Sequence, residues 1–304
     1  MRLDKFLADM SVGTRTEIRK MVRKGAVTVD GETARDAGMS VDPDRSAVVL
    51  NGSPVVYRHN EYYMMNKPAG VLTATEDKRQ RTVLDLMQSG GMRKEHGLPD
   101  AGENQTQSGS SALSCIRRDI SPVGRLDKDT EGLLILTNDG QLAHRLLAPK
   151  SHVDKVYYAE IAGRIGQRDI QRFREGIRFD EDLTAMPAKM ELLGVERGAR
   201  TRQSSQSTAD DRSKTAPAQA DPASGTGESA AAAGVFSKVL ITIHEGKFHQ
   251  IKKMVEALGD GKRVLYLKRV KMGGLSLDET LQPGEWRELT PEEISSLEEK
   301  ESGV

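Results

Sequence analysis

Residues 121–140 read SPVGRLDKDTEGLLILTNDG. Asp127, Asp129 and Glu131 alternate along this stretch, and the unbroken apolar run LLILT follows at 133–137. Acids at the mouth of a buried strand can serve several chemistries. DKDTEG has the form of the start of an EF-hand calcium loop, with oxygen ligands at alternate positions and Gly at the sixth. That loop also needs a bidentate Glu at its twelfth position, where this chain has Asn138, and a strand pattern follows instead of a helix. Two acids could also cleave a glycosidic bond, but a chain with two basic segments and few aromatics does not describe a sugar cleft. An acid in a strand-entry loop can simply bond turn amides, and that reading suits Asp129. Asp127 is set apart by Gly124 and Gly132, which predict sharp bends on either side of Arg125-Leu126-Asp127. A carboxylate on such a bend, between an Arg and a buried strand, is positioned and not merely solvated.

The chain around this loop has 304 residues, enough for one large domain or two smaller ones with a sizeable core. Lys plus Arg and Asp plus Glu each total 45, so the net charge is zero and charge must be read locally. Aromatics are 4% of the residues, which predicts an aliphatic core. Cys115 is the only cysteine, which excludes an internal disulfide and a cysteine metal cluster and fits a reducing compartment. MRLDKFLADM is amphipathic and unlike a secretory signal, and no window is long and apolar enough to span a membrane. A soluble cytoplasmic protein is expected.

The elements form two units. In residues 1–53, Leu3, Phe6, Leu7 and Met10 recur at helical spacing. Thr14 and Glu17 form a capping box for a second helix that Gly25 can end, and Asp30-Gly31 marks a hairpin turn. Residues 54–61 read as a linker. From 62 to 290 an α+β unit is expected, with strands at 62–66, 133–137, 155–161, 188–193, 238–245 and 263–270. Helices are expected at 82–87, 139–147, 167–176 and 248–259, and a solvated one in the tail 291–304. Segments 89–115 and 197–234 are rich in Gly, Ser, Gln, Ala and Pro and read as insertions that cannot bury a core. The second should join two strands of one sheet.

Charge is segregated although it sums to zero. Arg15, Arg19 and Arg23 form one helical stripe beside Lys20 and Lys24, with Glu17 alone opposing them. A second basic segment holds Lys247, Lys252, Lys253, Lys262, Arg263, Lys268, Arg269 and Lys271. A charge run is usually a solvated face, but two such regions on two units suggest a polyanion that spans both.

PVGRLDKDTEGLLILTNDGQLAHRLL resembles the signature of the RsuA-like branch of the pseudouridine synthases. MNKPAGVL (65–72), DKVYY (154–158), EGKFHQIKKM (245–254), VLYLKRVKMGGLSL (264–277) and PGEWRELT (283–290) resemble the branch's other motifs, in order. Residues 1–53 resemble the S-four module, a small RNA-binding domain often fused to these enzymes. The resemblance covers the chain apart from the two insertions. It implies an α+β fold: a helical and hairpin RNA-binding domain, then a catalytic domain on a mixed, mainly antiparallel sheet. It also implies a reaction without metal or cofactor, in which a uridine in ribosomal RNA is detached from its ribose, turned, and rejoined through ring carbon 5. The essential aspartate of the family maps to Asp127, its cationic partner to Lys252, its stacking Tyr to Tyr157 and its second apolar platform to Leu267. Arg125 is expected to hold phosphate or the flipped nucleotide. Lys247 stands where an Arg is common and is expected to meet RNA with Arg15, Arg19, Lys20, Arg23 and Lys24. Tyr158 faces the other side of its strand, Lys253 an outer helix face, and His249 is read as a structural residue of its loop. The expected partner is ribosomal RNA, foremost that of the small subunit, or an assembly intermediate, bound by a monomer away from membranes. A large-subunit rRNA enzyme and a non-catalytic RNA-binding assembly factor are the alternatives.

Overall fold

A computed structural model describes residues 1–89, 117, 119–179, 184–198 and 234–298. The expected insertions at 89–115 and 197–234 lie almost wholly outside these residues, as does the end of the tail.

The first unit holds α1 (Leu3–Asp9) and α2 (Arg15–Arg23) against a small antiparallel sheet. Its strands are β1 (Val27–Val29), β2 (Glu32–Thr33), β3 (Val48–Leu50) and β4 (Ser53–Val55), in the order β2-β1-β3-β4. The expected capping box starts α2: Thr14 Oγ1 accepts from Glu17 N at 3.2 Å, and Glu17 Oε2 accepts from Thr14 N at 2.7 Å. Asp30 and Gly31 both have positive φ, 53° and 87°, as a type I′ hairpin requires. Asn51 and Gly52 repeat that geometry at 50° and 84°. This second hairpin folds 53–55 back as β4, so residues placed at the head of a linker are sheet. Leu3, Phe6, Leu7, Ile18, Val22, Val27 and Val48 fill the core.

The second unit is built on β5 (Tyr62–Lys67), β6 (Ser121–Pro122), β7 (Glu131–Thr137), β8 (Lys155–Ala162), β9 (Lys189–Gly198), β10 (Gly234–Ile243), β11 (Arg263–Met272), β12 (Leu275–Ser276) and β13 (Trp286–Glu288). The order is β13-β5-β7-β11-β8-β10-β9, with β6 on β7 and β12 on β11. β7 and β11 run parallel and the other pairs antiparallel, so the sheet is mixed and mainly antiparallel. The helices are α3 (Val83–Gln88), α4 (Gly140–Leu147), α5 (Gln167–Glu175), α6 (Gln250–Glu256) and α7 (Pro291–Glu298).

The run LLILT is unbroken because β7 is covered on both faces. Leu134 and Leu136 join the core that holds Phe173 of α5 and Ile251, Met254 and Val255 of α6. Leu133 and Ile135 join the opposite core with Leu142 and Leu146 of α4 and Leu297 of α7. β8 is covered on one face and alternates strictly, with Tyr157 buried and Tyr158 half-buried on the other side. Gly198 and Gly234 are register partners, so β9 and β10 meet where the second insertion joins them.

The two units are tied by a polar clasp. Tyr57 packs its ring 5.1 Å from that of Phe6 and donates to Asp9 Oδ2 at 2.9 Å. The buried Arg117 guanidinium lies 5.3 Å from the Tyr57 ring and binds Asp119 bidentately. Among the described residues no helix is long and apolar enough to cross a membrane.

Candidate active site

Asp127 sits on the loop that leads into β7, where one bend favours glycine and the other requires it. Gly124 has φ +73°, and a Cβ there would lie 2.7 Å from Leu147 Cδ2. Gly132 has φ +99°, and a Cβ would lie 2.2 Å from the backbone oxygen of Arg269. That second contact is the close crossing of β7 and β11, so a side chain at 132 would part the strands that form one wall of the site.

The loop is pinned from beneath by residues 67–73. Lys67 is fully buried and donates its Nζ to the backbone oxygens of Pro68, Lys128 and Thr130 at 2.9, 3.2 and 2.9 Å. Burial pulls this amine down to about 8, against the attraction of Glu131, Asp129 and Asp127. Thr73 Oγ1 donates to Leu126 O at 2.9 Å, and Gly70 N donates to Lys128 O at 2.8 Å. The motif MNKPAGVL therefore holds the Asp127 loop from below. Sequence reasoning gave Lys67 no role; its one local signal is a cation at the end of an apolar strand.

A cleft opens above the loop, lined by Arg125, Leu126, Asp127, Tyr157, Ile243, Lys247, His249, Lys252 and Leu267, among others. Tyr157 and Leu267 are buried in its wall, 8% and 6% exposed, and line the same cleft as Asp127. Lys252 Nζ lies 3.0 Å from Asp127 Oδ2 and 2.6 Å from Asp129 Oδ1, so one cation bridges two acids. Burial acts to lower the Lys252 amine, but its hydrogen bonds to Asp129 and Asp127 outweigh this and raise it above the ordinary value. For Asp129 burial acts upward, and the Lys252 hydrogen bond leads the effects that hold it below the usual carboxylate range. Asp129 is thus more than a turn acid: its side chain, 72% exposed, reaches across to Lys252.

The helix expected from 248 starts two residues later. His249 stands outside α6 with φ 52° and ψ 32°, a left-handed conformation uncommon for a residue other than glycine. Its Nε2 lies 3.6 Å from Asp127 Oδ1, so His249 belongs to the cleft and not only to the loop's framework.

Lys247, expected to meet RNA, has partners within the protein. Its Nζ lies 3.0 Å from Glu245 Oε2 and donates to Thr184 O at 2.6 Å, on a side chain that stays partly exposed. The buried Glu245 also accepts from Met186 N at 2.9 Å and Gln250 Nε2 at 3.0 Å, and this network fixes the entry to α6. The second basic segment is likewise not one surface. Arg269 is buried and donates to Leu133 O, and Lys262 is paired with Asp260. Arg125 is exposed at the rim of the cleft. In the first unit Arg15, Arg19, Lys20, Arg23 and Lys24 are all exposed, and Arg19 and Arg23 line a groove with Arg2 and Arg35.

Residues 61–257 match the model of the RNA pseudouridylate synthase family. The chain belongs to that family. Residues 1–45 match the S4 domain, the S-four module of the first unit. An uncharacterized RNA pseudouridine synthase of Bacillus subtilis is 40% identical over 99% of this chain and 100% of its own length. Ribosomal small subunit pseudouridine synthase A of Vibrio cholerae is 34% identical over 98% of this chain and 99% of its own. A solved pseudouridylate synthase, 28% identical, covers 98% of the synthase described here with a TM-score of 0.52.

Proposed function

We propose that this pseudouridine synthase isomerises one uridine in small-subunit ribosomal RNA and that Asp127 is its catalytic carboxylate. The observation that carries the reading is Asp127 itself, held on a glycine-framed bend, paired with Lys252 at 3.0 Å, and lining one cleft with Tyr157 and Leu267. Detaching uracil breaks the bond between N1 and the anomeric carbon and develops positive character on the ribose. A fixed carboxylate beside that carbon stabilises the charge more than it stabilises the neutral uridine, which is the condition for catalysis. Two courses are open to Asp127: attack on the anomeric carbon, or assistance while a neighbouring sugar proton is removed. Both need an ionised acid in a water-poor cleft, and Lys252 supplies the neighbouring cation.

The base must leave its stack to reach Asp127. Tyr157 and Leu267 give it an aromatic and an apolar surface, and Arg125 at the rim is placed for a phosphate. The arginine-rich face of the first unit holds the RNA outside the cleft through salt-sensitive contacts. The relatives named for the small ribosomal subunit support that substrate, taken as naked rRNA or an assembly intermediate bound by a monomer. The test is a map of pseudouridines in both rRNAs from cells with and without the protein. The proposal expects one position of the small-subunit rRNA to revert to uridine. A missing position in the large-subunit rRNA would move the substrate there, and unchanged maps would refute an rRNA substrate.

A further inference from the structure

Phe248 is 69% exposed and is the one aromatic among the exposed large apolar side chains of the described residues. It does not line the cleft, but both its neighbours, Lys247 and His249, do. Its ring is stacked on the His249 imidazole, with centroids 3.8 Å apart and planes 20° from parallel. The left-handed backbone at His249 turns Phe248 out of α6 and sets this stack up. His249 reaches to 3.6 Å from Asp127, so the stack leads from the carboxylate to solvent. The ammonium of Lys253 stands 5.8 Å from the Phe248 centroid.

A lone exposed ring beside an ammonium is a poor docking patch for a protein, which needs a contiguous apolar area. It is a good platform for a nucleobase, which presents one flat face and carries its phosphates at the edge. Flipping the target uridine also strips its neighbour of a stacking partner. We propose that Phe248 is a stacking ledge for the nucleobase adjacent to the uridine being isomerised. The ledge replaces the lost stack, with His249 as its backing and Lys253 beside it for phosphate. This inference rests on the reading of the cleft as an RNA site, and it gives a role to Phe248, a residue of the motif EGKFHQIKKM to which the resemblance assigned none.

The test uses the full chain with Phe248→Ala, Phe248→Leu and Phe248→Trp. Tritium release from small-subunit rRNA transcripts, labelled at ring carbon 5 of uridine, gives the half-saturating concentration. Loss of one base stack predicts a rise of about 5- to 100-fold for both Ala and Leu, with Trp within about twofold of the parent. Leu keeps the apolar surface but not the flat face, so it separates stacking from burial. Phe248→Trp adds an exposed indole to a chain whose single other tryptophan, Trp286, is buried. Its emission should be quenched by oligouridylate. A Leu variant that saturates like the parent, or an emission unmoved by oligouridylate, overturns the ledge. If the parent releases no tritium, the reading of function fails on its own, and the emission measurement still decides the ledge.

Discussion

Lys252 Nζ lies 3.0 Å from Oδ2 of Asp127 although 125 positions separate the two residues. α6 and the loop before β7 meet only through the folded sheet, so this pair is a product of tertiary structure. Lys252→Met should remove the cation from the carboxylate and lower the saturated rate. Affinity for RNA should change far less, because the partner lost is the carboxylate and not a phosphate. Lys252→Arg keeps the charge in another shape and should be partly active. Single-turnover rates at saturating RNA, beside the binding of rRNA transcripts, measure both effects. Weakened binding with a normal saturated rate would mean that Lys252 serves RNA and not Asp127.

Asp129 shares the same cation but is mostly exposed, and exposed pairs contribute about 0–1 kcal/mol. Asp129→Asn should therefore melt near the parent temperature and lose far less activity than Asp127→Asn. Its carboxyl is held below the ordinary value, so what the pair contributes is present above the unfolded pKa and is lost as pH falls through the folded one. A loss of activity equal to that of Asp127→Asn would restore a two-acid mechanism.

Lys67 gives a prediction in the alkaline range. Its folded value is about 8, below the 10.5 of an exposed lysine. Between these values the unfolded chain holds the proton that the folded chain has released, so stability rises with pH across that window. Lys67→Met lacks this contribution and leaves three backbone oxygens without their donor, at roughly 1–3 kcal/mol for each that stays buried and dry. The variant should be less stable than the parent at neutral pH, and the gap should widen from pH 8 to about 10. Denaturant midpoints across that range measure it. A constant gap would show that the amine does not titrate there.

The arginine stripe of α2 predicts a salt effect. Replacing Arg15, Arg19 and Arg23 together by Gln should weaken binding to rRNA transcripts. The log–log salt slope should fall by about 0.7–0.9 for each phosphate that is no longer neutralised. The cleft is untouched, so the saturated rate should hold. An unchanged slope in a salt titration would make the stripe a solvated face.

What the sequence disclosed was local. The unbroken apolar run LLILT marked a buried strand, Gly124 and Gly132 marked the bends, and Thr14 with Glu17 marked a cap, because each signal lies within a few residues of its effect. The Asn51-Gly52 turn was equally local and still passed over, which put β4 in a linker. The remaining misses are long-range. Lys247 pairs with Glu245 two residues away, but its second partner, Thr184 O, comes near only once the loop at 184 meets the start of α6 in the fold. Lys67 and Arg269 look like surface cations until neighbouring strands bury them against backbone oxygens. Asp127 and Lys252 were paired through a family resemblance, not through spacing.

The central claim is that one carboxylate, Asp127, carries the isomerisation. The direct measurement is single-turnover tritium release from rRNA labelled at ring carbon 5 of uridine, comparing the parent with Asp127→Asn at saturating protein. Asn keeps the size and hydrogen-bonding reach of the side chain and removes its charge, so fold and RNA affinity should stay near those of the parent. The account predicts a rate loss of at least about a thousandfold, roughly 4 kcal/mol of barrier. An Asp127→Asn protein within about tenfold of the parent, a difference of about 1.4 kcal/mol, would contradict it.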